Sequence, residues 1–482
     1  GSIIGENESV IYIPDTITII NNYAFYNANS MLSIVIPNSV TSIGYAIIGG
    51  TYSLTSIEAP FIGNENASAC DYGNGNINDQ ATKVLGYFFG YGYNFENQRM
   101  FSNISGYLTD ENIATLFNET KQYYNRTNHV IDNNIENDDV ITTYIPKSLT
   151  TIIINNQAVV HTGTFSNVLS VTSYNFSNVL TTIEDLAFYL DLDNVNNQAH
   201  YTVNGDLSEL VYIDLSELVY IGAYAFANSN LVGFNSANAN EIIIPSKVTT
   251  LKSHAFYNTD LITALTVSAT VTTVEDYVFA EMENLIYITI LNRLVGNHMF
   301  YNDPSVVTLV IPTTVEEIRE SAFGGMTSLT SLTVPFIGRI NNADALYSSE
   351  KVLGFFFGHD VDNLAKDNYE LTQNEVAYYI PTSLKNLYVT VDDIISAYAL
   401  QNVKLENVIF DTVVTVGDYA FENADKLVYV GKSVQNISTT NFETLVANGL
   451  YVKVNGEYVQ VANNATYDST KIYYTRSGSE GT

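Results

Sequence analysis

Catalysis needs a positioned nucleophile, base or metal ion, so the titratable residues are the first place to look for chemistry. The histidines are scattered along the chain, and no two of them stand at the spacing that places two metal ligands on one helix face. His254 and His298 each precede the phenylalanine of a repeated block, where stacked coils bring neighbours together. We interpret all six as structural or exposed residues: His129, His161, His200, His254, His298 and His359.

The remaining candidates for chemistry are a cysteine and two acidic segments. Cys70 lies in a polar stretch without an adjacent base, which favours a free thiol over a nucleophile. Segment 71–79 is rich in oxygen ligands and could hold calcium, but it lacks the closing glutamate of a calcium loop. Segment 132–139 is better interpreted as a solvated loop. No phosphate-binding or nucleophile-elbow motif is present, so the sequence predicts no catalytic residue, no metal ligand and no cofactor.

Two aromatic clusters are the remaining binding candidates. Tyr87–Phe89 and Phe355–Phe357 each follow Val-Leu-Gly and precede a glycine. An exposed aromatic shelf could bind a sugar, but the apolar flanks favour a buried strand in each case. No ligand-binding residue can therefore be assigned from these clusters.

Composition excludes several functional classes. The 482 residues carry 51 Asp and Glu against 19 Lys and Arg, a formal net charge of −32. Because carboxylates repel phosphate backbones and anionic lipid, we expect neither nucleic-acid binding nor membrane insertion. A single cysteine excludes an intramolecular disulfide. No apolar run reaches the roughly 20 residues that a membrane helix needs, and we expect a soluble monomer.

The secondary-structure elements that would position any functional site come from a repeated sequence block. Ile-Pro is followed by Val-Thr-x-Ile, by Ala-Phe and by Leu-x-x-Ile-x-Ile-Pro, and the prolines Pro14, Pro37 and Pro60 mark blocks of about 23 residues. Ile48 and Leu400 are weaker stand-ins for the phenylalanine, which suggests about eleven turns in all. The phenylalanines that continue the pattern are Phe165, Phe188, Phe226, Phe256, Phe279, Phe300, Phe323 and Phe421.

Each block predicts one coil of a solenoid. Leu329 to Val334 alternates apolar and polar residues as a half-buried strand does, and Pro335 ends it. Val315 and Ile318 have the spacing of a short turn or 3₁₀ segment that brings the chain back across the other face. Since one coil cannot bury its apolar side alone, successive coils must stack with parallel strands. The sequence therefore predicts a β-rich, right-handed superhelix with one continuous core.

Two inserted segments interrupt the array and resemble each other. Pro-Phe-Ile-Gly and Lys-Val-Leu-Gly occur in both, and both rejoin the array at Tyr-Ile-Pro-x-Ser-Leu. We place the first insert at about 61–143 and the second insert at about 336–378, within an array spanning 1–430. The region after Thr109 could begin a short helix. Residues 431–482 are expected to form a small β appendage with a hairpin at Asn455.

The repeat resembles a known family. Ile-Pro-x-Ser-Val-Thr-x-Ile-x-x-x-Ala-Phe with Leu-x-x-Leu-x-Val-Pro looks like the BspA-like leucine-rich repeats of bacterial surface proteins, over about residues 10–430. The insert pattern is similar to one met in Firmicutes members. The resemblance implies a leucine-rich-repeat solenoid, export to the surface of a gut or oral commensal, and adhesion without catalysis. The secretion signal is then absent from the sequence given.

Three functional hypotheses follow. The first is a non-enzymatic secreted or cell-surface adhesin that binds a protein or glycan on host or neighbouring cells, with specificity in the inserts. The second is a carbohydrate-binding module or glycan-acting protein, the enzymatic form of which needs two carboxylates about 5 to 10 Å apart. The third is a passive stalk. Charge predicts that a protein partner presents a basic patch.

Overall fold

The computed structural model describes most of the chain. Its two compact units are Gly1–Ile262 and Thr263–Thr482. The described residues are 9–66, 81–90, 114–123, 140–192, 199–203, 215–234, 239–341, 350–359, 367–411, 414–424, 429–430, 434–435, 439–447, 449–455, 457–471 and 473–475.

The architecture is a β-solenoid of about 14 turns with about 23 residues per turn, which confirms the predicted fold class. Strand side chains alternate between the core and the outside, as in Ser56–Ala59, where Ile57 and Ala59 are buried. A polar side chain often binds the main chain of the previous coil, as when Thr55 Oγ1 donates to Leu32 O, 23 residues back. This period fixes the register from coil to coil.

Within its described residues, the first unit contains sixteen strands, a one-turn helix with named bounds, a 3₁₀ segment and a short helical stretch at 114–116. The helix α1 is Gly86–Phe89, and the 3₁₀ segment is Ala81–Lys83. The strands are β1 (Val10–Tyr12), β2 (Ile19–Ile20), β3 (Ser33–Val35), β4 (Ser42–Ile43), β5 (Ser56–Ala59), β6 (Phe117–Tyr123), β7 (Val140–Pro146), β8 (Thr151–Ile154), β9 (Val159–Val160), β10 (Ser173–Phe176), β11 (Thr182–Ile183), β12 (Tyr201–Val203), β13 (Tyr220–Ile221), β14 (Leu231–Gly233), β15 (Glu241–Ile243) and β16 (Thr250–Leu251).

Two parallel sheets run along the first unit. The main sheet has the order β1-β3-β5-β8-β10-β12-β14-β15, and a second sheet of short strands has the order β9-β11-β13-β16. Strand β5 pairs directly with β8 across the first insert. Thr150 therefore donates to the carbonyl of Thr55 although 95 residues separate them. The array is thus continuous on its strand side, and β6 and β7 form an antiparallel hairpin within the insert.

The second unit repeats the plan. It holds the 3₁₀ segment Leu353–Phe356 and helix α2 (Thr439–Ala447). Its strands are β17 (Ala264–Val267), β18 (Thr273–Val274), β19 (Tyr287–Ile290), β20 (Leu294–Val295), β21 (Thr308–Val310), β22 (Glu317–Ile318), β23 (Ser331–Val334), β24 (Asn368–Gln373), β25 (Val376–Pro381), β26 (Asn386–Val389), β27 (Ile394–Ile395), β28 (Asn407–Phe410), β29 (Val414–Val416), β30 (Tyr429–Val430), β31 (Val434–Gln435), β32 (Leu450–Val454), β33 (Glu457–Gln460) and β34 (Tyr473–Thr475).

The second unit ends in a mixed sheet. The main sheet has the parallel order β21-β23-β26-β28-β30, and β24 and β25 form the hairpin of the second insert. The last sheet, β27-β29-β31-β34-β32-β33, starts parallel and becomes antiparallel from β34 onward. Strands β32 and β33 form the hairpin expected at Asn455, which has a φ of 51°. The position of the boundary between array and appendage stays a prediction.

Phenylalanines form a column inside the first unit. Phe165, Phe188, Phe226 and Phe256 are at most 1% exposed, and successive rings stack with centroids 5.2, 5.0 and 5.1 Å apart. Each buried aromatic or aliphatic side chain contributes about 1.5–3 kcal/mol to folding. The repeat period of the sequence therefore places these four phenylalanine rings in one stacked column in the core.

The number of turns predicted from the sequence needs correction. Eleven turns is too few, because coils without the Ala-Phe pattern and the inserts add turns. The return segments form two-residue strands and tight turns, in agreement with the short turn or 3₁₀ segments predicted for the other face. Of the region after Thr109, residues 114–116 are helical before β6 begins, and 109–113 lie outside the described residues.

Candidate binding surfaces

Most return turns contain left-handed backbone at two places. The first is the residue before Ala-Phe, and the second lies four residues later. Asparagine tolerates this backbone better than other residues with a Cβ, which explains its recurrence at the second place. The second-place asparagines, at φ between 53° and 61°, are Asn27, Asn167, Asn228, Asn258, Asn302, Asn402 and Asn423.

These asparagines link adjacent coils through their side chains. Asn258 Nδ2 donates to Asn228 Oδ1 at 2.9 Å, and Asn423 Nδ2 donates to Asn402 Oδ1 at the same distance. The sequence did not lead us to predict these hydrogen bonds between asparagine side chains. The signal was visible as an asparagine two residues after many of the phenylalanines.

The first left-handed place carries aromatic rings in many coils, and these rings pair. Tyr224 stacks on His254 with ring centroids 4.5 Å apart, and Tyr277 stacks on His298 at 4.4 Å. The four rings are half-buried, so their edges reach the surface. The two histidines singled out in the sequence therefore serve as stacking partners for tyrosines.

The first insert supplies the turn of an extra coil. Ala46 and Ile48 donate main-chain hydrogen bonds to the carbonyls of Tyr87 and Phe88 at 2.9 and 3.1 Å. On the other side, Leu85 donates to Thr164 O at 3.0 Å. The predicted burial is correct because Phe88 and Phe89 are fully buried. The predicted strand is wrong: this segment forms α1, since it must turn the chain where other coils carry Ala-Phe.

A buried glutamine attaches the hairpin of the first insert to that turn. Gln122 lies on β6 and is fully buried. Its Oε1 accepts from Gly86 N at 2.6 Å, and its Nε2 donates to Thr164 O at 2.8 Å. One side chain thus joins α1, the hairpin and the next coil.

The second insert repeats this construction atom for atom. Gln373 Oε1 accepts from Gly354 N at 2.7 Å, and Gln373 Nε2 donates to Ala399 O at 3.0 Å. Phe323 donates a main-chain hydrogen bond to Phe356 O at 2.9 Å. Tyr87–Phe89 and Phe355–Phe357 are therefore structural, and neither cluster is an exposed shelf.

A cavity of about 420 Å³ lies beside the second hairpin. Lys404 covers the ring of Tyr369, with Nζ 4.3 Å from the ring centroid. Glu370 is the single acidic residue in the described lining, so the cavity does not present the paired carboxylates of a glycosidase. The lining residues are Glu370, Leu371, Thr372, Asn402, Val403, Lys404 and Asn423.

Exposed apolar side chains gather in the second unit on the outer face of the main sheet and of the neighbouring strand β19. Strands β19 and β21 lie side by side, and Val310, Thr333 and Tyr388 occupy one row across β21, β23 and β26. Tyr287 is 69% exposed and Val310 53%. We call the following set the outer strip: Ile286, Tyr287, Val307, Val310 and Tyr388.

The remaining histidines that the structure describes, His161, His200 and His359, lie apart from one another in the sequence and make separate contacts. Buried His161 lies 3.5 Å from a carboxylate oxygen of Glu184, and exposed His359 lies 3.0 Å from Glu320. His200 is exposed. No group of three potential metal ligands occurs among the described residues. His129, Cys70 and segments 71–79 and 132–139 lie outside the described residues.

A buried acid and a buried lysine face each other near the second insert. Burial raises the pKa of Asp392, which the charge of Lys351 opposes. Burial lowers the pKa of Lys351, which Asp392 opposes. Asp392 Oδ2 also accepts from Ile337 N at 3.4 Å. These contacts give Asp392 a structural role in holding the start of the insert.

The family follows from the repeats themselves. The model of the BspA type leucine-rich repeat region matches in six copies, at residues 6–105, 142–236, 206–330, 293–428 and 393–474. These matches cover most of the chain. The chain belongs to the BspA-type leucine-rich repeat family. Repeat proteins of this family are generally non-catalytic and serve in binding.

Solved leucine-rich repeat proteins resemble this BspA-type chain at low identity. One from Bacteroides ovatus is 15% identical with a TM-score of 0.38, covering 89% of this chain and 78% of its own. A leucine-rich cell surface protein from Faecalibacterium prausnitzii is 14% identical with a TM-score of 0.25, covering 72% and 91%. One from Eubacterium ventriosum is 14% identical with a TM-score of 0.27, covering 86% and 82%. No curated protein matches the chain.

The BspA-type array contains no helix with the length and apolarity to cross a membrane, within the part that the structure describes. Its two unusual surface elements are the outer strip and the insert hairpins. Both stand on rigid repeats, which present a large surface without ordering cost.

Proposed function

We propose that this chain is a non-enzymatic, adhesin-like binding protein that acts outside the cell and recognises a protein partner. The outer strip is the observation that carries the proposal. Scattered apolar residues are normal on a surface, but a group on neighbouring strands is typical of an interaction site. Tyr287 and Tyr388 supply rigid aromatic contact area of the kind that dominates protein interfaces.

The charge of the chain defines the partner further. A net charge of −32 favours a partner with a basic patch. Attraction between such surfaces speeds association and is screened by salt, with a Debye length of about 8 Å at physiological ionic strength. Affinity is therefore expected to fall as salt rises, while the apolar contact at the outer strip persists.

Binding to a panel of extracellular matrix proteins and bacterial surface proteins tests the proposal. Surface plasmon resonance with the whole chain should detect a partner at micromolar concentration or below. Tyr287→Ser together with Val310→Ser should weaken that binding at least tenfold, whereas Leu192→Ser, at an exposed apolar position in the first unit, should leave it unchanged. Equal affinity for all three proteins, or indifference to salt, contradicts the proposal. The absence of any partner favours a passive stalk.

The cavity beside the second hairpin supports glycan binding as a second candidate function. Asn402, Asn423 and Thr372 bring amide and hydroxyl groups to a space of about 420 Å³, which suits a small sugar. A glycan array should then give signals that Lys404→Ala and Asn423→Ala reduce. An array silent for the unmodified chain rules this candidate out.

A further inference from the structure

The first insert buries a lysine against an asparagine and a glutamate. Lys83 ends the 3₁₀ segment and is 1% exposed. Its Nζ donates to Asn64 Oδ1 at 2.7 Å and lies 3.6 Å from Glu65 Oε1. A C=O bond is about 1.2 Å long, so Nζ lies within about 4 Å of the Asn64 Cγ carbon. An amine, an amide carbon and a carboxylate are therefore within reach of one another.

The backbone holds these three residues in place. Asn64 N donates to Thr82 O at 3.1 Å, and Ile43 N donates to Asn64 O at 2.9 Å. Glu65 forms an isolated antiparallel bridge with Ser42. Fixed geometry of this kind removes the entropic cost of bringing two groups together, which accelerates reactions between them.

A glycine lets the lysine reach the asparagine. Gly63 has a φ of +112°, and a Cβ added there would lie 2.6 Å from Thr82 O and 3.4 Å from Lys83 Cδ. A side chain at this position would thus clash with the main chain beside Lys83. The absence of a side chain lets the segment around Gly63 approach the 3₁₀ segment that ends at Lys83.

The second insert keeps the lysine but not its partners. Arg339 occupies the place of Asn64, because Ile318 N donates to Arg339 O at 2.8 Å just as Ile43 does to Asn64. Ile340 bridges Glu317 in the place of Glu65. Lys351, the counterpart of Lys83, shares its surroundings with Asp392 instead. The full set of reacting groups therefore converges in the first insert.

We propose that Lys83 and Asn64 form an intramolecular isopeptide bond. Glu65 takes a proton from the Lys83 ammonium, and the Nζ lone pair attacks Asn64 Cγ to form the new C–N bond. Glu65 then passes this proton to the amide nitrogen of Asn64, and the old C–N bond breaks as ammonia leaves. The second proton, released from the new amide nitrogen, is taken up by the departing ammonia, which leaves as ammonium. The product is a secondary amide between the two side chains, and the Glu65 carboxylate is regenerated. No oxidant or cofactor takes part.

The bond would close the base of the first insert. It ties the chain just after β5 to the 3₁₀ segment before α1, and the sequence between them becomes a covalent loop. Force or proteolysis within that loop would then leave α1 and the hairpin attached to the array. This role is independent of the outer strip, which lies in the second unit.

Intact mass spectrometry of the purified whole chain tests the bond. The unmodified chain should be lighter than its sequence requires by the mass of one ammonia, and fragmentation should yield a branched peptide joining Lys83 to Asn64. Glu65→Gln and Lys83→Met should each have the mass that their sequences require. Because the Glu65 side chain is 60% exposed, Glu65→Gln is expected to fold, which circular dichroism checks.

Lys351→Met is the matched control and should still lack one ammonia. A folded, unmodified chain at its full sequence mass overturns the proposal. Ammonia loss that survives Lys83→Met also overturns it, because the loss would then arise at another asparagine. Since none of these measurements involves a partner, their failure leaves the proposed binding function standing.

Discussion

Removing the Gln373 side chain should release the second insert from the array. Gln373 is fully buried and makes hydrogen bonds to Gly354 N, Ala399 O and Gln401 O. In Gln373→Ala, Ala399 O keeps the bond from Leu353 N, but Gly354 N and Gln401 O lose these bonds. A buried polar group without its partner costs about 1–3 kcal/mol, so we expect a local loss of about 3 kcal/mol.

Hydrogen exchange measures this loss directly, because it reports the opening of one part of a structure. About 3 kcal/mol corresponds to roughly 100-fold faster exchange, since 1.4 kcal/mol is tenfold. Peptides covering 353–358 and 368–381 should show it, while the first unit stays unchanged. Thr372→Ala, one residue away on the exposed face of β24, is the matched control and should change exchange less than threefold. Equal exchange in the two variants would refute the assigned role of the glutamine.

Three further predictions concern the turns and the core. Gly163→Ala should prevent docking of the first hairpin and cost more than about 3 kcal/mol in urea unfolding, because a Cβ there would lie 1.5 Å from Tyr123 O. Asn258→Ala should lower the thermal midpoint more than Asn258→Gly, since its φ of 53° costs other residues about 1–2 kcal/mol. Burial raises the pKa of Tyr174 well above 10, so its unfolded form ionises first and stability should fall as pH rises above 10. Tyr174→Phe should reduce that slope by up to about 1.4 kcal/mol per pH unit, as urea titrations between pH 9 and 11 would show.

The coil was predictable because its signal is local and repeated. Leu332 is buried in β23 and Phe256 in the ring column, as alternation and period require. The family model and the sheet registers confirm both the repeat and the parallel pairing. An error in interpreting one repeat block has little effect on the predicted fold, because the blocks on either side fix the register of its strand.

The turns and inserts were less predictable because distant residues determine them. Tyr87 to Phe89 reads as a strand, but hydrogen bonds to Ala46 and Ile48 make it a helical turn. Gln122 gives no local sign of burial on β6, and its role appears only through Gly86 and Thr164. A comparison of the two inserts would have revealed this role, because each hairpin carries a glutamine at the equivalent position of its first strand, Gln122 on β6 and Gln373 on β24.

Each insert is attached to the array in part through the main-chain carbonyl of the next coil, which accepts a hydrogen bond from the insert glutamine. Thr164 in one copy and Ala399 in the other offer the same carbonyl, so the hydrogen bond of the glutamine does not depend on the side chain of the accepting residue. We expect that a segment carrying its own glutamine can therefore be placed at another coil that offers an equivalent carbonyl, with few compensating changes in its new neighbours. Inserts of this kind can vary the outer surface of one repeat array while its buried core stays the same.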